Sequence, residues 1–191
     1  KDRLASMNFR LGEGDRMQLR GKIDRVDCLR TDGGVYVKLT DYKSGSREID
    51  LTRLYHGLQI QLILYMTAAL EKLGRDGRKV HPAGLFYFHV DEPWIKSKEG
   101  AGEEEIREEQ LAAHQLRGLY NCEDLVVNAL DRSLAEPSSE ASRVISAKRK
   151  KDGSLAASRD ALTEEDLRLL GDYVHGKIEE TGRHILGGRI E

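Results

Sequence analysis

Two carboxylates and an ammonium are spaced along residues 21–45 so that a single hairpin could bring them together. Asp24 ends the run Gly21-Lys22-Ile23-Asp24, and Asp41-Tyr42-Lys43 closes the next strand-like run. Carboxylates placed this way hold a hard divalent cation, and a lysine beside them acts on a nucleophile or on developing charge. Metal-assisted phosphodiester cleavage needs that combination. Asp-x-Lys alone is common on strands as a solvated pair, so Asp24 on the neighbouring strand adds the weight. Asp27 competes for the ligand role, and a salt bridge to Arg25 or Arg30 is the ordinary alternative for Asp24. Asp24 is preferred because it shares parity with Arg20 and Lys22, off the apolar face, which leaves Asp27 structural.

The elements that must position these groups are legible as periodicities. Residues 17–27 are expected to form one strand, with Met17, Leu19, Gly21 and Ile23 on one parity. Thr31-Asp32-Gly33-Gly34 is a hairpin signal. Residues 35–42 return, with Val37, Leu39, Asp41 and Lys43 on one face. Asp41 and Lys43 thus extend an apolar row where the strand leaves the core. Residues 54–73 read as one long, largely buried helix. Gln61 and Tyr65 lie i,i+4 on it, where an amide and a phenol could orient the lysine and a phosphate. The plainer alternative is a helix-edge glutamine and a core tyrosine. His56 and Gln59 are further candidates, whereas His81, His89 and His114 have no metal-like spacing.

Residues 84–90 are expected to form a central strand ended by Asp91-Glu92-Pro93. A short edge strand is expected at 9–11, a solvated acidic stretch at 100–110 and a broken helix or helix pair over 111–119 and 122–134. A loop at 137–142 precedes a last amphipathic helix, capped at Thr163 and running to about 185. Residues 187–191 look like the start of another strand.

Composition fits one soluble domain over residues 1–191, with 34% charged and 39% hydrophobic residues. No apolar run reaches membrane-span length and no signal peptide is visible. Cys28 and Cys122 match no zinc or disulfide framework, so a reducing cytoplasm is the default. A net charge of −2 argues against strong, unaided coating of DNA. The basic turn 143–151 offers Lys148, Arg149, Lys150 and Lys151 as candidate phosphate contacts. No P-loop is present, so no ATP motor is expected in this stretch.

With these residues in hand, the chain resembles the RecB-type PD-(D/E)xK nucleases, in the form carried by AddB-type subunits of bacterial ATP-dependent helicase–deoxyribonucleases. The resemblance rests on Gly21-Lys22-Ile23-Asp24-Arg25-Val26-Asp27, Asp41-Tyr42-Lys43-Ser44-Gly45, the Gln-x-x-x-Tyr of Gln61 and Tyr65, and Pro82-Ala83-Gly84-Leu85-Phe86-Tyr87-Phe88-His89. Lys151-Asp152-Gly153-Ser154-Leu155 and Ile185-Leu186-Gly187-Gly188-Arg189-Ile190 extend it to the last residues.

The resemblance implies an α/β restriction-endonuclease-like fold, a mixed sheet flanked by helices. It implies Mg²⁺, with Mn²⁺ as a substitute, on Asp24, Asp41 and the Tyr42 carbonyl. Lys43 would orient or activate the attacking water, and Gln61 and Tyr65 would support the site. It implies an exonuclease domain acting on DNA beside an AddA-type helicase–nuclease subunit, in double-strand break repair by recombination. The family's iron–sulfur cluster is expected to be missing from this stretch, because Cys28 and Cys122 do not fit its cysteines and the chain reads as an excised piece. The family's upstream acidic or histidine residue has only Glu13 and Asp15 as candidates. The rival expectation is a catalytically silent module that binds DNA or a partner subunit.

Overall fold

The computed structural model describes residues 7–45, 47–91, 102–136 and 141–189. The strand stop expected at Glu92-Pro93, the first residues of the acidic stretch, the first four residues of the 137–142 loop and the last two residues of the chain lie outside these.

β1 (Met7–Arg10) and β2 (Arg16–Leu19) form a small antiparallel hairpin of their own. The main sheet has the order β3-β4-β5-β6-β7, built from Arg25–Thr31, Gly34–Lys43, Val80–His89, Arg117–Asn121 and Ala161–Leu162. β3 and β4 are antiparallel and joined through Asp32 and Gly33. Gly34 is required there twice over. Its φ is +143°, and a Cβ would lie 2.6 Å from the Lys79 carbonyl oxygen.

β4 and β5 are parallel, so the chain must cross over the sheet between them. α1 (Leu51–Tyr55) and α2 (Gln61–Gly74) make that crossover, and α5 (Glu164–Leu186) packs beside α2. Alternation along β4 buries Val35, Val37 and Leu39 against Leu62, Ile63, Met66, Leu167, Val174 and Ile178. Each such side chain stabilises the fold by about 1.5–3 kcal/mol when fully buried. The opposite face of the sheet carries Tyr36, Ala83, Phe86 and Tyr120, covered by α4 (Asp124–Leu130) and the 141–149 segment. α3 (Glu103–Ala113) buries none of its residues, in keeping with its acidic sequence. Among the described residues no helix is long and apolar enough to cross a membrane.

Four sequence expectations are corrected. The single strand over 17–27 is two strands in different sheets, because the chain leaves β2 after Leu19 and bends at Asp24 before β3 begins. The single helix over 54–73 is two helices. Asp50 caps α1 by accepting from the Thr52 and Arg53 amides, and positive φ at Gly57 (+78°) and Gln59 (+57°) breaks the path before α2. The stretch 111–119 is not helical throughout: residues 117–121 enter the sheet as β6, with Leu119, Tyr120 and Asn121 buried. Burial against β5 overrides the helical periodicity there. Pro82 is accommodated inside β5 because the β4–β5 register shifts beside it, at Val37/Lys38. After α5, Gly187 caps the helix, residues 187 and 188 form a turn, and residue 189 is not in a strand.

Candidate active site

The hairpin places Asp24 beside the Asp41-Tyr42 segment. The β3–β4 ladder ends at the Arg25–Thr40 pair, and Asp24 is an exposed residue in the bend just before it. Asp41 continues the face of β4 that carries Val37 and Leu39, under α2 and α5. The bend at Asp24 interrupts the alternation from which residues 20–22 would set its face. The Asp24 carboxylate is fixed by the backbone: Tyr42 N–H donates to its Oδ2 at 3.1 Å.

Asp41 is only 4% exposed. Its Oδ2 is buried and receives no well-directed hydrogen bond, although Lys43 Nζ stands 2.6 Å away as an ion-pair partner. The two observations agree if the ammonium approaches outside hydrogen-bonding angles, which leaves a lone pair of the oxygen unused. The N–H and C=O of one residue in a strand point to the same side. The Tyr42 carbonyl therefore faces the side of β4 on which Asp24 receives the Tyr42 amide, where β3 has already ended.

Gln61 and Tyr65 begin α2, and Gln61 Nε2 donates to the Tyr65 hydroxyl at 2.9 Å. Tyr65 reaches the segment that carries Asp24. A methyl group placed on Gly21 would lie 2.6 Å from Tyr65 Cε1 and 2.9 Å from its hydroxyl. The structure thus joins Asp41 to Lys43, ties Asp24 to the Tyr42 amide between them, and sets the Tyr65 ring, held by Gln61, against Gly21.

The other candidates have separate employment. Asp27 lies on the opposite face, 3.0 Å from both Arg25 and Lys38. Partial burial works to raise its pKa, but hydrogen bonds from Lys38 and Arg25 outweigh this and hold the carboxyl below its usual range. Gln59 accepts from the Asp50 amide, and His56 packs edge-on against Tyr55. His81 bonds Glu164 at 2.7 Å, and His114 bonds the Gln110 carbonyl. Glu13 and Asp15 are exposed in the β1–β2 turn.

In the basic turn, Arg149 is turned inward. Its guanidinium donates to the Leu134 and Gly153 carbonyls and to Asn128 Oδ1, each at 2.8 Å, and pairs with Asp124. Its donors are committed to the fold, so it is removed from the candidate phosphate contacts. Lys148, Lys150 and Lys151 are exposed.

One residue escaped the sequence reading. Tyr87 on β5 is the parallel cross-strand partner of Asp41 and is 4% exposed, with Lys43 Nζ 6.0 Å from its ring centroid. Burial first, and the Asp41 carboxylate second, push its phenol above the ordinary value, against the pull of Lys43 and Arg47. Only the pairing of β4 with β5, which spacing cannot reveal, identifies it.

A cleft of about 620 Å³ opens beside the loop after β4, lined by Arg47, Glu48, Asp50, Arg53, Arg159 and Asp160 among others. Its three arginines are matched by three acids, and Arg159 reaches across to Glu48 at 3.3 Å. Asp24, Asp41 and Lys43 are not part of its lining.

The donor set fits a hard divalent cation. Among the described residues no cluster of three His, Cys, Asp or Glu side chains could hold a metal. Two carboxylates and one carbonyl suffice for Mg²⁺, which keeps several of its waters. The unused lone pair on buried Asp41 Oδ2 is the observation that marks the position.

Comparison with known proteins agrees with this geometry. A model of the PD-(D/E)XK nuclease superfamily matches residues 2–189. The chain is 37% identical over 191 residues to the B-type subunit of the ATP-dependent helicase/deoxyribonuclease of Bacillus mycoides. It is 36% identical over 191 residues to the same subunit from Bacillus cereus, and 36% identical over 182 residues to that of Alkaliphilus oremlandii. These alignments cover 98%, 98% and 95% of this chain, and 16% of each relative. The chain therefore spans about one sixth of the length of the curated relatives it matches.

Proposed function

This chain belongs to the PD-(D/E)XK nuclease superfamily, and on that premise we propose that it hydrolyses DNA phosphodiesters with Mg²⁺ or Mn²⁺ held by Asp24, Asp41 and the Tyr42 carbonyl. The observation that carries the reading is the buried Asp41 oxygen, free of directed hydrogen bonds and beside Lys43, with Asp24 tied to the adjacent Tyr42 amide. When bound, the cation supplies positive charge that polarises the phosphodiester and acidifies water.

The chain's own residues do the rest. Asp24, tied to the Tyr42 amide, and Asp41, seated on the Leu39 row, fix the place where a cation would be held and so where a phosphate would be drawn in. The Lys43 ammonium orients the attacking water and offsets charge that develops on the phosphoryl oxygens. Tyr65 and Gln61 hold the 21–24 backbone so that Asp24 keeps its position. The family resemblance implies that water attacks in line with the O3′ leaving group, so that the P–O3′ bond breaks and a 5′ phosphate remains.

The relatives' names support a wider proposal. The domain serves as the exonuclease of a cytoplasmic bacterial helicase–nuclease, beside an AddA-type subunit, in double-strand break repair by recombination. The test is cleavage of end-labelled single-stranded DNA in Mg²⁺ or Mn²⁺ by the wild-type chain, Asp41→Ala and Lys43→Ala. Both variants should lose at least a hundredfold in rate. Equal rates in all three would overturn the site assignment. Binding without metal-dependent cleavage in the wild type would favour the silent module.

A further inference from the structure

We propose that Tyr87 is a positioning residue whose ring face receives the Lys43 ammonium when a divalent cation occupies Asp41. The identity of the site rests on the nuclease reading above; the role of Tyr87 rests on geometry.

Asp41 and Tyr87 are partners in the parallel β4–β5 register, so both side chains stand on the α2 side of the sheet. Lys43, two residues beyond Asp41, projects from that same face. Its ammonium now sits 2.6 Å from Asp41 Oδ2, the oxygen with the unused lone pair. An ammonium and a divalent cation repel too strongly to share one carboxylate oxygen in a partly desolvated site. Lys43 must leave Oδ2 for the cation to enter, yet it must stay close enough to act on the phosphate.

The Tyr87 ring suits that requirement. Nζ already stands over the ring, 6.0 Å from its centroid and at the outer limit of a cation–π contact, so a small swing about the lysine's own torsions tightens that contact. The ring attracts a cation through its quadrupole without adding a second anion that would compete for the metal. It is 4% exposed and belongs to the main core cluster, so it does not move to follow the lysine. The charged groups that bear on its phenol are Asp41, which favours the neutral form, and Lys43 and Arg47, which oppose it. Burial outweighs the latter two and keeps the hydroxyl protonated.

The experiment compares wild type, Tyr87→Phe, which keeps the ring, and Tyr87→Leu, which keeps apolar bulk only. Two readouts need no DNA. On titration with Mg²⁺ to saturation, the Lys43 ε-methylene resonances of wild type and Tyr87→Phe should move upfield as the ammonium enters the ring's shielding cone. Those of Tyr87→Leu should not. Mn²⁺ affinity, followed by electron paramagnetic resonance, should be about three- to thirty-fold weaker in Tyr87→Leu than in Tyr87→Phe, the range that cation–π contacts span.

Absence of the upfield shift in the wild type overturns the proposal without any variant, so a Tyr87→Leu chain that fails to fold does not shelter it. Wild-type Mn²⁺ affinity in Tyr87→Leu overturns it as well. Cleavage of single-stranded DNA is scored separately. A wild type that shows the shift but cleaves nothing overturns the nuclease reading and leaves the Tyr87 assignment standing. A wild type that cleaves but shows no shift does the reverse.

Discussion

Replacing Gly21 with alanine should damage the site without touching a catalytic group. The new methyl would sit 2.6 Å from Tyr65 Cε1, about 0.8 Å inside the 3.4 Å at which ordinary contact begins. The Tyr65 ring is packed against the core cluster and cannot slide freely. Tilting it by about 10° costs well under 1 kcal/mol in rotamer energy. The displaced hydroxyl, however, stretches its 2.9 Å bond from Gln61, worth about 1 kcal/mol. Overpacking of this kind adds about 1–3 kcal/mol. A total of about 2–4 kcal/mol is expected, and each kcal/mol lowers Tm by about 2–4 °C in a chain of this length.

The assay is urea unfolding of a double-mutant cycle with Tyr65→Leu, which removes the obstructing ring. In that background Gly21→Ala should cost under about 0.5 kcal/mol, because glycine here has no positive φ to preserve. Cleavage should fall in Gly21→Ala in step with the movement of the 21–24 backbone. Strictly additive energies, or an alanine variant as stable as wild type, would refute the claim that Tyr65 braces the segment carrying Asp24.

Other outcomes follow from the same contacts. Lys43→Met leaves the buried Asp41 carboxylate without its counter-ion; since Lys43 is about a quarter exposed, a loss of about 1–3 kcal/mol is expected. Mg²⁺ should raise the Tm of that variant more than that of the wild type, because the cation replaces the missing charge. Arg149→Ala breaks four internal contacts and should cost about 2–4 kcal/mol in urea unfolding, whereas Lys150→Ala should stay within about 0.5 kcal/mol. Asp131 should shape the acid limb of stability. Its burial tends to raise the carboxyl pKa, but bonds from Ser142 and Ser133 and the Arg143 amide prevail and hold it below 3.8. The folded state thus binds this proton less readily than the unfolded chain does. The stabilisation is full above about pH 4 and is lost as pH falls below that, with a slope of at most about 1.4 kcal/mol per pH unit. Asp131→Asn should flatten that limb in unfolding measured from pH 5 to pH 2.

The β3–β4 hairpin was legible because each signal in it is local. A two-residue turn with glycine fixes the register, and alternation fixes the face of Val37, Leu39, Asp41 and Lys43. Gln61 and Tyr65 were legible for the same reason, since i,i+4 spacing survives wherever the helix begins. Asp24 is tied to the Tyr42 amide while Asp27 is paired with Arg25 and Lys38, but the reason for preferring Asp24 fails: the parity argument assumed an unbroken strand, and the bend before Arg25 removes it. The broken helix was missed because the interruption lies in backbone torsions at Gly57 and Gln59, within a stretch whose apolar spacing stays helical. β6 was missed because its identity depends on β5, which is distant in sequence. Tyr87 and the inward turn of Arg149 are tertiary facts of the same kind. A basic cluster looks alike in sequence whether its guanidinium faces solvent or a set of carbonyls.

The bond from the Tyr42 amide to the Asp24 carboxylate has a consequence for motion. The amide proton can exchange with solvent only when that bond opens, which happens when the exposed Asp24 side chain, at the end of the ladder, swings away from Tyr42. Its exchange rate therefore counts how often Asp24 leaves its place beside the Asp41-Tyr42-Lys43 run. In a segment at the end of a ladder, such opening is frequent while nothing bridges Asp24 and Asp41. Anything that binds both carboxylates at once must slow it. A single backbone proton, followed in deuterated water, thus records whether the site is assembled, without a substrate and without catalysis.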